Sequence, residues 1–181
     1  MNLTNIDVVR VPAIYKPQRG ALGCSLSHIH ALQCFIESNL NTCCIFEDDF
    51  EFVLDSEIVH ALFATLKRGH ILFDVCMLSG GINKSESAQN TSLLKVLDGQ
   101  TAAGYCVTKD FAPTLMKNFQ EGARHLEAGF DTTGRQVGSF CIDQYWKKLQ
   151  PLHDWYVLHP KMGKQRESYS DIEGKIVNYG C

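Results

Sequence analysis

The stretch Cys43-Cys44-Ile45-Phe46-Glu47-Asp48-Asp49-Phe50 places three carboxylates directly after a short apolar run. The apolar run predicts a buried strand, and in an open α/β sheet ligands collect outside the carboxyl ends of the strands. Like charges this close together raise one another's pKa unless a cation offsets their repulsion. A hard divalent metal takes oxygen ligands and can also hold a diphosphate, so it is the natural cation at this position.

The acidic stretch has two possible interpretations, a metal site or a solvated turn. In extended geometry alternate side chains share a face, so Glu47 and Asp49 would point one way and Asp48 the other. This favours Asp49, with Glu47, as direct metal ligands. The alternative is a solvated acidic turn, because short acidic runs are common on exposed surfaces.

Composition excludes several classes of protein. The 181 residues are 45% hydrophobic and 20% charged, which predicts one globular domain spanning residues 1–181. A net charge of −3 gives no broad attraction to nucleic acid or anionic lipid. No apolar stretch approaches the roughly 20 residues of a membrane span, and the first residues lack a signal-peptide layout. We expect a soluble cytoplasmic protein whose eight cysteines, which show no zinc spacing, are reduced.

Alternating apolar strands and amphipathic helices predict an α/β fold with a central mixed sheet flanked by helices. The short strands at 93–108 indicate at least one antiparallel or mixed excursion within that sheet. The polar segment 82–92 is predicted to be a loop. The predicted strands are 6–11, 43–46, 73–78, 93–96, 102–108 and, last in the chain, 155–158; the predicted helices are 25–38, 56–67, 111–119 and 142–149.

A glycine-rich segment, Gly20-x-x-Gly23-Cys24-x-x-Ser27-His28, is predicted to be a loop that leads into the helix at 25–38. Ser25 or Ser27 would cap that helix. Backbone N–H groups at a helix start bind anions without a charged side chain. His28 would then lie in the first turn and reach a phosphate or a sugar hydroxyl. The alternative is a structural glycine turn with a histidine satisfied elsewhere.

Two further features have both a chemical and a structural interpretation. Asp143 opens the predicted helix 142–149, where it is either a structural residue, as a helix cap or dipole partner, or a general base that takes a hydroxyl proton. The segment 160–166 is locally basic, with two lysines and an arginine. It either neutralises a diphosphate leaving group or is an ordinary solvated segment.

Five motifs in order make the chain similar to one known family. Taken together over residues 7–172, they resemble glycosyltransferase family 25, which holds bacterial lipooligosaccharide galactosyltransferases and the collagen galactosyltransferase domains of animals and giant viruses. The motifs are Gly20-Ala-Leu-Gly23-Cys24-Ser-Leu-Ser27-His28, Ile45-Phe46-Glu47-Asp48-Asp49, Thr101-Ala102-Ala103-Gly104-Tyr105, Val137 to Asp143-Gln144, and Gln165 to Ser170-Asp171-Ile172.

The resemblance implies a GT-A-like nucleotide-sugar domain and an inverting hexosyltransferase. Such an enzyme transfers galactose or glucose from a UDP-sugar to a glycan or hydroxylated protein acceptor, with Mn²⁺ or Mg²⁺ as cofactor. Matched onto this sequence, the family motifs imply Asp143 as the catalytic base and Glu47, Asp48 and Asp49 as the metal site. The implied donor-binding residues are Gly20, Gly23, Ser27, His28, Gly104, Gln165, Ser170 and Asp171.

The chain departs from the family pattern at its amino terminus. Family members carry a strand and a helix upstream of the strand predicted at 6–11, so we expect about one β–α unit to be absent here. Loss of an outer unit exposes an edge strand and apolar surface, which favours homo-oligomers. The same departure supports an alternative function, a non-catalytic relative that binds a glycan or completes a larger assembly. A metal-dependent phosphohydrolase ranks below both, because no nucleophile motif is recognisable.

Overall fold

The computed structural model describes residues 8–67, 72–88, 92–170 and 174–178. The helices are α1 Gly20–Glu37, α2 Ser56–Lys67, α3 Ala112–Thr133 and α4 Ile142–Tyr145. The strands are β1 Thr42–Phe46, β2 Phe50–Phe52, β3 Val75–Met77, β4 Gly81–Ser87, β5 Leu93–Gln100, β6 Gly104–Thr108, β7 Trp155–Leu158, β8 Gly163–Gln165, β9 Ser168–Ser170 and β10 Lys175–Val177.

Six strands form a central mixed sheet in the order β1-β6-β3-β7-β5-β4. Strand β6 runs antiparallel to both of its neighbours, β1 and β3, whereas β3 and β7 are parallel. Strand β5 is antiparallel to β7 and to β4. The predicted mixed α/β sheet and its antiparallel excursion are therefore confirmed. Two small sheets, β2–β8 and β9–β10, lie outside it.

The two faces of the sheet are covered by different helices. On one face Leu32 of α1 and Phe119 of α3 pack in a core with Val75 and Met77 of β3. On the other face Val59 of α2 packs in a second core with residues that include Cys76. Because side chains alternate along a strand, three consecutive residues of β3 serve both cores and all are fully buried.

Several predicted strands differ from the observed ones. Residues 8–11 form no strand, and the rest of the strand predicted at 6–11 lies outside the described residues. The loop predicted at 82–92 is wrong, because Gly81–Ser87 pairs with β5. Its polar sequence suits an edge strand whose side chains are mostly exposed. The strand at Trp155–Leu158 is not the last, since three short strands follow it.

The predicted helices are correct in position but not always in extent. Ser56–Lys67 is confirmed. Helix α1 begins at Gly20, five residues earlier than predicted, and α3 continues to Thr133, where Gly134 ends it in the left-handed conformation (φ 68°). The helix predicted at 142–149 is α4 followed by a 3-10 turn at Trp146–Lys148. None of the described helices is long and apolar enough to cross a bilayer.

One pair of cysteines corrects the expectation that all are reduced. Cys44 of β1 and Cys106 of β6 are joined by a disulfide. The two residues are direct partners in the antiparallel ladder, with their Cα atoms 4.0 Å apart. On the other neighbour of β6, strand β3, Cys76 is the direct partner of Cys106 and is a free thiol. This pairing could not be predicted from the sequence alone because it depends on strand register.

Candidate functional site

The acidic stretch forms a turn where β1 leaves the central sheet. The backbone N–H of Glu47 donates to Ala103 O at 2.8 Å, which continues the pairing of β1 with β6 by one residue. The Phe50 N–H then donates to Glu47 O at 3.1 Å and closes a turn at Asp48 and Asp49. The alternation expected of extended backbone is therefore wrong here, because the chain reverses to pair β2 with β8.

Residues of β8 and β9 hold the carboxylate of Asp49. Its Oδ2 accepts hydrogen bonds from Gln165 Nε2 at 2.9 Å and from Ser168 Oγ at 2.8 Å. Its Oδ1 is buried and has no hydrogen-bond partner among the described residues. The Arg166 N–H donates to Asp49 O, and its guanidinium donates to Asp48 O at 3.4 Å. Asp49 Oδ2 is thus held in place by two hydrogen bonds, whereas the lone pairs of Oδ1 are not used by any described residue.

Glu47 points to a different place, the inner face of α1. Its Oε1 lies 3.1 Å from His28 Nε2 and accepts a hydrogen bond from the Cys24 thiol at 3.7 Å. On the other side of the ring, His28 Nδ1 lies 3.0 Å from the Tyr105 hydroxyl. His28 and Tyr105 are buried, while the Glu47 side chain is 25% exposed. Glu47 and Asp49 therefore have separate sets of partners.

His28 is not in the first turn of its helix, because α1 already begins at Gly20. The start of this helix is satisfied within the protein. Its Ala21 N–H donates to Gln136 Oε1 at 3.0 Å, and Arg19, just before the helix, pairs with Asp131 at 2.9 Å. A side-chain amide thus already binds the N-terminal turn, where the sequence predicted an anion-binding loop.

Gly23 and Ser27 hold a neighbouring segment of chain against α1. A Cβ on Gly23 would lie 2.7 Å from Ile14 O, so only glycine admits this approach. Ser27 Oγ accepts the Ile14 N–H at 2.8 Å and donates to Gly23 O. Ser25 Oγ donates to Ala21 O within the helix, so neither serine is an N-cap. The structural interpretation of the glycine segment is the one supported by these contacts.

Asp143 connects α4 to the loop between β5 and β6. Its Oδ2 accepts the Thr101 N–H at 3.1 Å and the Gln144 side-chain amide at 3.3 Å. Asp143 lies in the first turn of α4, as a dipole partner would, but it makes no capping bond to this helix, so only the cap interpretation is wrong. Thr101 holds the left-handed conformation (φ 78°), which is uncommon for a β-branched residue and recurs at functional sites.

The charge of the Glu47 carboxylate acts on both Asp143 and Cys24. Burial raises the pKa of Asp143, the Thr101 N–H and Gln144 partly offset this, and the charge of Glu47 raises it further. Burial also raises the pKa of the Cys24 thiol well above its usual value, with added contributions from the charges of Glu47 and Asp143. The two carboxylates therefore belong to one polar region.

A lysine lies at the edge of this region. Lys147 Nζ contacts Asp98 Oδ1 at 2.9 Å and Gln100 Oε1 at 3.0 Å, and the same Gln100 oxygen accepts from Gln144 Nε2 at 3.2 Å. The hydrogen bond from Lys147 lowers the pKa of Asp98. This network places a positive charge close to Asp143, which opposes the rise in the pKa of that carboxyl without cancelling it.

The remaining predicted site residues lie around the acidic turn. A Cβ on Gly104, or on Gly163, would overlap the ring of Phe50, so both glycines leave room for that ring. Ser170 ends β9, two residues after the Ser168 that binds Asp49, and its carbonyl accepts the Gly174 N–H. Asp171 lies outside the described residues.

One comparison with known proteins identifies the family of the chain. The described residues form a mixed α/β domain with an acidic turn at the carboxyl end of a sheet strand. The sequence model of glycosyltransferase family 25, described as LPS biosynthesis protein, matches residues 17–127. The chain therefore belongs to glycosyltransferase family 25, a family of transferases. No curated protein matches the chain.

Sequence reasoning missed several members of the site. Ser168, Thr101 and Tyr105 had no assigned role, because their partners come from distant parts of the chain. Cys24 did leave a signal. It lies four residues before His28, and this spacing puts two side chains on one helix face. The signal was lost because the helix was predicted to begin after Cys24.

Proposed function

We propose that this protein is a metal-dependent inverting hexosyltransferase that transfers galactose or glucose from a UDP-sugar to a hydroxyl of a glycan or protein acceptor. Membership of family 25 supports the class of reaction. The observation that carries the proposal is the carboxylate of Asp49, which has one oxygen fixed by Gln165 and Ser168 and the other buried without a partner.

The acidic turn fits a hard divalent cation such as Mn²⁺ or Mg²⁺. The unpartnered Asp49 Oδ1 is an oxygen donor of the type these ions prefer, and the neighbouring Asp48 is exposed. Glu47 is the weaker candidate, since its carboxylate already contacts Cys24 and His28. When bound, the cation would stabilise the negative charge of the departing diphosphate. Hydrogen bonds to a metal-binding side chain hold that side chain in the orientation that the metal needs. We assign this role to Gln165 and Ser168, which bind the Asp49 carboxylate.

Asp143 is the proposed general base. Inversion requires one in-line displacement, in which the acceptor hydroxyl attacks the anomeric carbon as the bond to the UDP oxygen breaks. The hydroxyl proton then passes to the Asp143 carboxylate. The Thr101 N–H fixes Oδ2, and the raised pKa brings the carboxyl closer to working pH, where a base is most effective. A positioned base contributes about 10²–10⁴-fold in rate.

The donor is expected to bind at the acidic turn and along 165–170. This segment supplies Gln165 and Ser168 to Asp49 and includes Ser170. A GT-A-like arrangement is supported by the position of the acidic turn, at the carboxyl end of an α/β sheet strand. Gly20 begins α1, and contacts with Ile14 explain Gly23 and Ser27 further along this helix.

The test is a titration of UDP, UDP-galactose and UDP-glucose with and without Mn²⁺, followed by thermal shift and by hydrolysis of the sugar nucleotide. UDP should stabilise the protein only with Mn²⁺, and Asp49→Asn should abolish that shift. Asp143→Asn should keep the shift but lose about 10²–10⁴-fold in turnover. Asp110→Asn, at an exposed turn, is the matched control. No response to UDP at millimolar concentration would contradict the proposal and favour a non-catalytic binding role.

A further inference from the structure

Helix α1 directs two metal-ligand side chains at the end of β1. Cys24 and His28 are one turn apart on the helix, and both face the carboxylate of Glu47. The Cys24 Sγ, one His28 ring nitrogen and a Glu47 oxygen all lie within 4.8 Å of one another. A group of three different donors converges here, at a place separate from the Asp49 carboxylate.

We infer that Cys24, His28 and Glu47 form a transition-metal site whose chemistry suits Zn²⁺. Thiolate, imidazole and carboxylate are the three side-chain ligands that zinc takes in proteins. Magnesium and manganese prefer oxygen ligands, so a site containing a thiolate and an imidazole discriminates against them. Three protein ligands leave the fourth tetrahedral position open to water or to an exogenous ligand.

The surroundings of His28 prepare its ring for metal binding. The buried Tyr105 hydroxyl lies 3.0 Å from Nδ1, so an Nδ1–H donated to it leaves the lone pair of Nε2 directed at Glu47. Hydrogen bonds of this kind fix the tautomer and orientation of metal-bound histidines. The ring is also stacked on Tyr105, with centroids 5.8 Å apart, and meets the edge of Phe119. The ring therefore has little freedom to turn away.

The cluster carries a local excess of negative charge. Glu47 and Asp143 both act electrostatically on the Cys24 thiol. A dication would offset these charges and convert the thiol to a thiolate ligand. It would also tie α1 to the end of β1, which adds a cross-link next to the acidic turn. This inference does not depend on the proposed transferase activity, because it concerns different ligand atoms.

The test uses the full chain with its Cys44–Cys106 disulfide intact, stripped of metal with EDTA and titrated with Co²⁺ as a spectroscopic substitute for Zn²⁺. We expect one equivalent of Co²⁺ to bind with a thiolate-to-cobalt charge-transfer band, and Zn²⁺ to displace it. Cys24→Ser should abolish the band, and His28→Gln should weaken Co²⁺ binding at least tenfold. Cys34→Ser and His30→Ala are matched controls, since both residues are exposed on the same helix and should change nothing.

Three further measurements guard the test against variants that misfold. Zn²⁺ should shield Cys24 of the unmodified protein from alkylation, as read by peptide mass spectrometry, while Cys34 stays reactive. Tyr105→Phe should keep the band but lower the affinity about 10–100-fold. Asp49→Asn should leave the thiolate-to-cobalt band unchanged, which separates this site from the oxygen ligands of the acidic turn. Absence of Co²⁺ and Zn²⁺ binding, or a band that survives Cys24→Ser, would overturn the inference and leave a hydrogen-bonded core cluster.

Discussion

The side chain of Gln165 donates a hydrogen bond to Asp49 at 2.9 Å across 116 residues of sequence. The pairing of β2 with β8 makes this contact possible, because it sets Gln165 opposite Phe50, the residue after the acidic turn. The orientation of the Asp49 carboxylate is therefore determined by a segment near the other end of the chain. A substitution in β8 should therefore alter the acidic turn although the two segments are far apart in the sequence.

Replacing Gln165 with alanine should weaken Mn²⁺ binding about 10–100-fold, because loss of an orienting hydrogen bond has this effect on a metal ligand. Titration calorimetry with Mn²⁺ measures it. Lys164→Ala, on the same strand with an exposed ion pair to Glu51, is the control and should bind Mn²⁺ normally. Equal affinity in Gln165→Ala and Lys164→Ala would show that Asp49 needs no such support.

Adding a methyl group beneath Phe50 should destabilise the protein. Gly104→Ala or Gly163→Ala would press on the ring, and overpacking of this kind costs about 1–3 kcal/mol. The melting temperature should fall by about 2–4 °C per kcal/mol. Gly138→Ala is the control, because nothing lies within 4 Å of its added Cβ. Phe50→Leu should rescue Gly104→Ala in part, and a failure to do so would place the strain elsewhere.

Asp143→Asn should make the protein more stable at neutral pH while it removes activity. Burial raises the pKa of Asp143, so the charged form costs folding free energy. The cost is absent below the usual carboxyl pKa, grows as pH rises towards the raised pKa, and is constant above it. The melting temperatures of the two proteins should therefore agree near pH 4 and separate by pH 8. A difference that shrinks with rising pH would contradict the assignment.

The Cys44–Cys106 disulfide should contribute substantially to stability. It closes a loop of 62 residues in the unfolded chain, which the loop-entropy relation values at about 4 kcal/mol. A reductant should lower the melting temperature of the protein by about 10 °C. The double variant Cys44→Ala/Cys106→Ala should already melt lower and be insensitive to reductant. Cys34→Ala should remain as sensitive as the parent, and a parent insensitive to reductant would refute the cross-link.

The sequence predicted those elements whose pattern is set by burial. The positions of strand β3 and helix α2 were predicted correctly. A continuous apolar run indicates a buried strand, and an apolar stripe at helical spacing indicates a helix that packs on one face. Strand β4 was missed because an exposed edge strand needs no apolar alternation. Helix α3 was cut short because its second half is polar and exposed along much of its length.

The site was predictable only where its residues are neighbours in sequence. The acidic turn stood out as a local cluster, but the separation of Glu47 from Asp49 depends on how the chain turns after β1. The partners of Asp143 and of His28 come from the loop before β6 and from β6 itself. Such contacts follow from strand register, which single-sequence patterns do not encode.

The residues at position 50 and at the two glycine positions that enclose its ring are expected to vary together among relatives. The ring fits only while positions 104 and 163 both lack a side chain. Among relatives, a smaller residue at position 50 should accompany alanine or serine at the other two, and phenylalanine should accompany glycine at both. A substitution at any one of these three positions therefore costs stability unless the other two change with it.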